Sequence, residues 1–210
     1  MKKNWTPALL AICLLAYSCG QKKTENKHFF PVISFIKSQV AHVDTSLYSI
    51  IRLDIVDSLR SDTSYIPREQ FRNLTKDFLE LPDLTESTYQ DLYTEDTVVD
   101  EAIGQLVFVY RPVDPEKVYI KRQQVVISSM GDRVKSFFIE TDKTNKDSSV
   151  QKKMLWSVDR SFQVVTTSQK IGEPEKTSIM KVIWNDEDAQ LFSTGDTLQV
   201  NPEKNAHPEK

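Results

Sequence analysis

The second half of the chain is a succession of strand-like segments joined by short turns. Residues 118–129 and 133–141 flank Met130-Gly131-Asp132, where glycine supplies the positive φ that a tight hairpin needs. Residues 150–157 and 161–168 flank Val158-Asp159-Arg160, and Gly172 with Pro174 marks the turn before a strand at 177–184. The polar stretch 143–149 reads as a further turn, and 106–110 as an earlier strand. A parallel crossover needs about a dozen residues or more. Connections this short therefore impose an antiparallel meander, and any helices must come from elsewhere in the chain.

They come from the first half. Val32, Ile36, Val40 and Val43 fall at i, i+4, i+8 and i+11, which predicts a helix over 29–43 with Pro31 in its first turn. Residues 47–57, LYSIIRLDIVD, read as a strand. Phe71, Leu74, Phe78 and Leu81 predict a second helix over 67–81, opened by Pro67 and stopped by Pro82. Residues 83–104 are acidic and weakly patterned, and read as a loop or frayed helix. The expectation is one α+β domain over 29–194: an antiparallel meandering sheet of about six to seven strands with two N-terminal-half helices packed on one face. Trp156, Phe162 and Trp184, with Phe137 or Phe138, are its expected core, and 195–210 its disordered polar tail.

The N-terminus sets the address. Lys2 and Lys3 precede the ten-residue apolar run ALLAICLLAY, which is too short to span a bilayer and suits a signal peptide. Leu15-Ala16-Tyr17-Ser18-Cys19 resembles the lipobox of bacterial lipoproteins. That resemblance covers the leader alone. It implies removal of 1–18 and a Cys19 that carries a thioether-linked diacylglycerol, usually with an amide-linked third acyl chain. Ordinary secretory cleavage after Ala16-x-Ser18 is the alternative. Two acyl chains anchor stably, at about 0.8 kcal/mol per buried CH₂. Residues 19–28 then form a lipidated cysteine and tether, whose nine residues after the cysteine reach at most about 30 Å. By analogy with lipoprotein sorting, Gly20 after the cysteine favours the outer membrane. The residues GQKKTENK lack the acidic run that resembles a surface-export signal, which favours the periplasmic face.

Composition removes several function classes. The 27 Lys and Arg, less Lys2 and Lys3, leave 25 against 30 Asp and Glu, about −5 for the mature part. That balance argues against a nucleic-acid partner. Both cysteines, Cys13 and Cys19, lie in or beside the leader, so the domain has neither a disulfide framework nor a cysteine zinc site. The five glycines are isolated, which removes the phosphate-cradling loops of nucleotide sites. Neither HExxH nor GxSxG occurs. His28, His42 and His207 are scattered, leaving only His42 to build an acid–base site on.

Carboxylates remain. Glu95, Asp96, Asp100 and Glu101 form one cluster and Asp186, Glu187 and Asp188 another, read as solvated loop acids. A paired-carboxylate hydrolase or a calcium site is the sharper reading, though the D-x-D-x-D spacing is missing. Two aromatic–basic stretches, 119–122 and 152–156, read as strands with one core face and one wet face. Asp57-Ser58-Leu59, Asp96-Thr97-Val98 and Asp196-Thr197-Leu198 resemble the D-(S/T)-aliphatic O-glycosylation site of Bacteroidota envelope proteins, which implies modification at Ser58, Thr97 and Thr197. The chain as a whole resembles the small lipoproteins common in that group. The expectation is a membrane-tethered, non-enzymatic module for binding or assembly, with no cofactor and with an envelope protein or lipid as partner. A carboxylate-based hydrolase of envelope glycans or polymers is the alternative.

Overall fold

The computed structural model describes residues 29–57, 60–102 and 104–185. The expected signal peptide, the expected tether with Cys19, Ser58, Asp186 to Asp188 and the expected tail with Thr197 lie outside the described residues. Helix α1 (Val32–Thr45) leads into a hairpin of β1 (Ile51–Asp57) and β2 (Arg60–Tyr65). Three short helices follow: α2 (Arg68–Leu74), α3 (Lys76–Leu79) and α4 (Ser87–Gln90). Then come β3 (Tyr93–Asp100), β4 (Gln105–Pro112), β5 (Ile120–Ser128), β6 (Val134–Thr144), β7 (Ser148–Ser157), β8 (Ser161–Lys170) and β9 (Lys176–Ile183). All nine strands join one antiparallel sheet in the order β2-β1-β9-β8-β7-β6-β5-β4-β3. The meander from β3 to β9 is thus closed on its last strand by the early β1–β2 hairpin.

The strand count corrects the expectation of six to seven. The two additional strands are β2 and β3, the edges of the sheet. An edge strand with wet faces needs no alternation of apolar residues, and these carry none. β2 reads RSDTSY, and in β3 only Tyr93 is buried. Residues 83–104 therefore hold α4 and an eight-residue strand where a loop or frayed helix is expected. The 67–81 helix is broken at Thr75, which is fully buried and sits at φ −89°, ψ 1° between α2 and α3. Its hydroxyl donates to the Arg72 carbonyl at 2.9 Å, a back-bond that bends helices. The turn at 143–149 shrinks to three residues because β6 and β7 run on, with the Asn145 side-chain oxygen accepting the N–H groups of Asp147 and Ser148. Gly131 does take positive φ, 70°, and Asp159 does so in the β7–β8 turn at 58°.

Residues directly opposite each other in the ladder share a face. One such row is Phe108, Val125, Phe137, Trp156, Phe162 and Val182. The next holds Tyr110, Gln123, Ile139, Met154, Val164 and Met180. These rows form the inner face, and the helices cover it. Val32, Ile36, Val40 and Val43, the stripe read from the sequence, are all buried, joined by Ile33. Burying each such side chain contributes about 1.5–3 kcal/mol. Phe71 of α2 meets Trp184 edge-on at 5.3 Å between ring centroids, and Phe78 of α3 meets Trp156 at 5.2 Å. Trp156 stacks on Phe162 at 5.4 Å. All three expected core aromatics are buried, and of the Phe137/Phe138 pair it is Phe137 that faces in.

Candidate functional site

The inner face changes character toward the β6–β7 and β8–β9 turns. The third row is Thr141, Lys152, Thr166 and Ser178, and the fourth is Lys143, Val150, Ser168 and Lys176. A strand pattern that was apolar at every second residue becomes polar on the same face. The helices do not seal this part, and two clefts open there.

The first cleft, of about 340 Å³, lies between the end of α3 and strands β6 and β7. Asp77, Glu80 and Leu81 form one wall, Tyr119 and Lys143 another, and Met154 and Val150 contribute apolar surface. Lys152 Nζ lies 2.5 Å from Asp77 Oδ1, and both side chains are about a third exposed. This contact pins the broken helix to the sheet across 75 residues of sequence. Lys143 places its ammonium 4.7 Å from the centre of the Tyr119 ring, a cation–π arrangement. Burial, reinforced by Tyr89 and Glu80, pushes the Tyr119 phenol up to about 12. It stays a neutral donor and acceptor across the physiological range.

The second cleft, of about 370 Å³, borders the first at Asp77 and crosses β1, β9 and β8. Arg52 and Asp54, two apart on β1 and so on one face, are ion-paired here. Arg52 Nη2 donates to Asp54 Oδ1 at 2.9 Å, and Nε lies 2.7 Å from Oδ2. Val164 and Met180 form the apolar floor, with Thr166 and Ser178 beside it. The arrangement offers fixed donors and acceptors in alternation over an apolar base.

The residues singled out by sequence fall elsewhere. Thr97 is exposed on the edge strand β3. Glu95 and Asp96 are exposed on β3, where Asp96 pairs with Arg111 at 2.6 Å, and Asp100 and Glu101 stand at its end. His42 is exposed on α1, its ring 6.1 Å from that of Tyr48. Asp54 and Asp77, which border one cleft, are each engaged by a cation on their own side, so no free carboxylate pair faces across it. Among the described residues no three His, Cys, Asp or Glu are grouped to hold a metal ion. Nor is any helix there long and apolar enough to cross a membrane.

The aromatic–basic stretches come closest to the site. Ile120, Met154 and Trp156 are buried and Lys153 is exposed, as core and wet faces require. Tyr119 and Lys152, from the same two stretches, line the cleft. Asp77 and Asp54 carry no signal in the sequence, since each is an isolated acid given its role by distant packing, Asp54 through the β1–β9 pairing and Asp77 through the seating of α3 on β7. Comparison with protein-family models, with curated proteins and with solved structures returns no match.

Proposed function

We propose that the protein is an envelope lipoprotein, anchored through Cys19 to the outer membrane on its periplasmic face, that acts as a non-enzymatic binding or assembly module. The lipobox-like LAYSC at 15–19 supports the anchor, and the nine residues between Cys19 and Phe29 keep the domain close to the headgroups. The observation that carries the binding role is the pair of clefts on the inner face, which stand open where the rest of that face is covered by helices. Binding sites are concave, with a few fixed polar groups on an apolar base. Ion pairing of Asp54 and Asp77 favours binding over hydrolysis, because a glycosidase holds one carboxyl protonated opposite the other. Ser58, Thr97 and Thr197 are proposed as O-glycosylation sites.

The test is the intact mass of the protein purified from membranes of its own host, with Cys19→Ala alongside. The reading requires a chain that begins at Cys19, carries diacylglyceryl mass, and loses both that mass and membrane association in the variant. Hexose-type increments that vanish in Ser58→Ala, Thr97→Ala or Thr197→Ala locate glycosylation. An unlipidated chain sinks the anchor.

A further inference from the structure

The inner face narrows the class of ligand, given the reading above that the domain binds rather than cuts. An acyl chain requires dry space. The apolar rows are already filled by Phe71, Phe78 and the α1 stripe, all buried. A polyanion requires an excess of cations, whereas the clefts balance Arg52, Lys143 and Lys152 against Asp54, Asp77 and Glu80. A peptide added as a strand requires a sheet edge, but the clefts lie on β1, β9, β8, β7 and β6, inside the edges β2 and β3.

We infer that the two clefts form one groove that binds a neutral oligosaccharide, laid across the strands from Arg52–Asp54 to Tyr119. A sugar hydroxyl donates and accepts at once, so it is best met by acid and base side by side. The groove provides this twice, at Arg52–Asp54 and Asp77–Lys152, and adds the hydroxyls of Thr166 and Ser178. The paired charges are about a third exposed, and hydrogen bonds to half-desolvated charges are stronger than those on open surface. Val150 and Met180, both partly exposed, present apolar surface to the C–H faces of sugar rings, and the methionine adapts to their shape. From β1 to β6 the groove crosses four strand spacings, about 19 Å, room for several rings.

The experiment uses the full chain in a detergent without a sugar headgroup. It is titrated calorimetrically and by backbone amide shifts with maltotetraose, cellotetraose, mannotetraose and tetra-N-acetylchitotetraose, and with oleate and polyphosphate. The sugars are weighed afterwards by mass spectrometry. The expected result is saturable binding of at least one oligosaccharide, with shifts confined to residues 52–55, 77–81, 119, 141–152 and 164–180. Affinity should fall tenfold or more in Lys152→Met. It should fall severalfold in Thr166→Val, a nearly isosteric change that leaves the ion pairs in place. No saturable binding of any sugar at millimolar concentration overturns the inference, as does tighter binding of oleate or polyphosphate at the same residues. Binding followed by shortening of the sugar upholds the groove and overturns the non-enzymatic reading. A lipidated chain that binds no sugar overturns the groove alone.

Discussion

The two halves of the inner face are built on the same strands, in the same register, and behave as opposites. In the rows through Trp156 and Met154 the large side chains from β5 to β8 are buried under helices. Two residues before Met154 on β7, Lys152 takes the place of an apolar residue on the same face and meets a carboxylate instead of a ring. The difference lies in what covers the sheet. α2 and α3 deliver Phe71 and Phe78 to the aromatic rows and then end, so Asp77 and Glu80 face the polar rows from the last turn. A continuous ladder can therefore hold a core and a binding surface at once, and the length of the covering helix decides where one becomes the other.

The contrast is broken most severely at Trp156. Trp156→Ala should cost about 3–5 kcal/mol, read as a lowered denaturation midpoint with an unchanged denaturant slope. A loss below about 1 kcal/mol would mean that the aromatic half is not the core.

Alkaline pH comes next. Burial raises the phenols of Tyr93 and Tyr110 above the usual 10, and that of Tyr119 to about 12. Tyr93 donates to the Ile120 carbonyl at 3.2 Å, and the Tyr110 oxygen accepts the Phe30 N–H at 3.1 Å. A group with a raised folded-state pKa contributes stability that is complete below its unfolded value and lost as pH climbs toward the folded one. Stability should thus hold to about pH 10 and fall from there to about pH 12, followed by urea denaturation at stepped pH. A flat profile across that window would place these phenols in water.

Gln123 sharpens the comparison from within the dry half. It is 1% exposed, and its side-chain oxygen has no hydrogen-bond partner among the described residues. Gln123→Met should be neutral or stabilising by about 1 kcal/mol, since it removes an unsatisfied acceptor from an apolar row. Asp77→Asn, in the wet half, should change stability by less than about 1 kcal/mol, because a partly exposed ion pair contributes little. A loss of several kcal/mol there would make the pair a structural clasp.

What was legible in the sequence follows the same division. The α1 stripe, the hairpins from β5 to β9 and the three core aromatics are written in periodicity, because each repeats a burial environment every two or every three to four residues. β2 and β3 are edges with little buried, so no period marks them as strands. Thr75 splits a helix that the spacing of Phe71 and Phe78 makes continuous, because a side chain that back-bonds to its own turn leaves that spacing intact. The clefts were half legible: Tyr119 and Lys152 stand in stretches marked by composition, whereas Asp54 and Asp77 join them only through the β1–β9 pairing and the end of α3. The proposed address at Cys19 rests on a local signal that owes nothing to the fold.

The separation of a sealed half from an open one can be measured with the chain's own indoles. Of its three tryptophans, Trp5 lies in the proposed leader, and Trp156 and Trp184 both lie in the dry half. Acrylamide quenching of the mature protein should therefore be weak, with a blue-shifted emission that moves to that of free tryptophan only on global unfolding. Quenching near that of the unfolded chain under native conditions would show the aromatic half open to solvent and contradict the division.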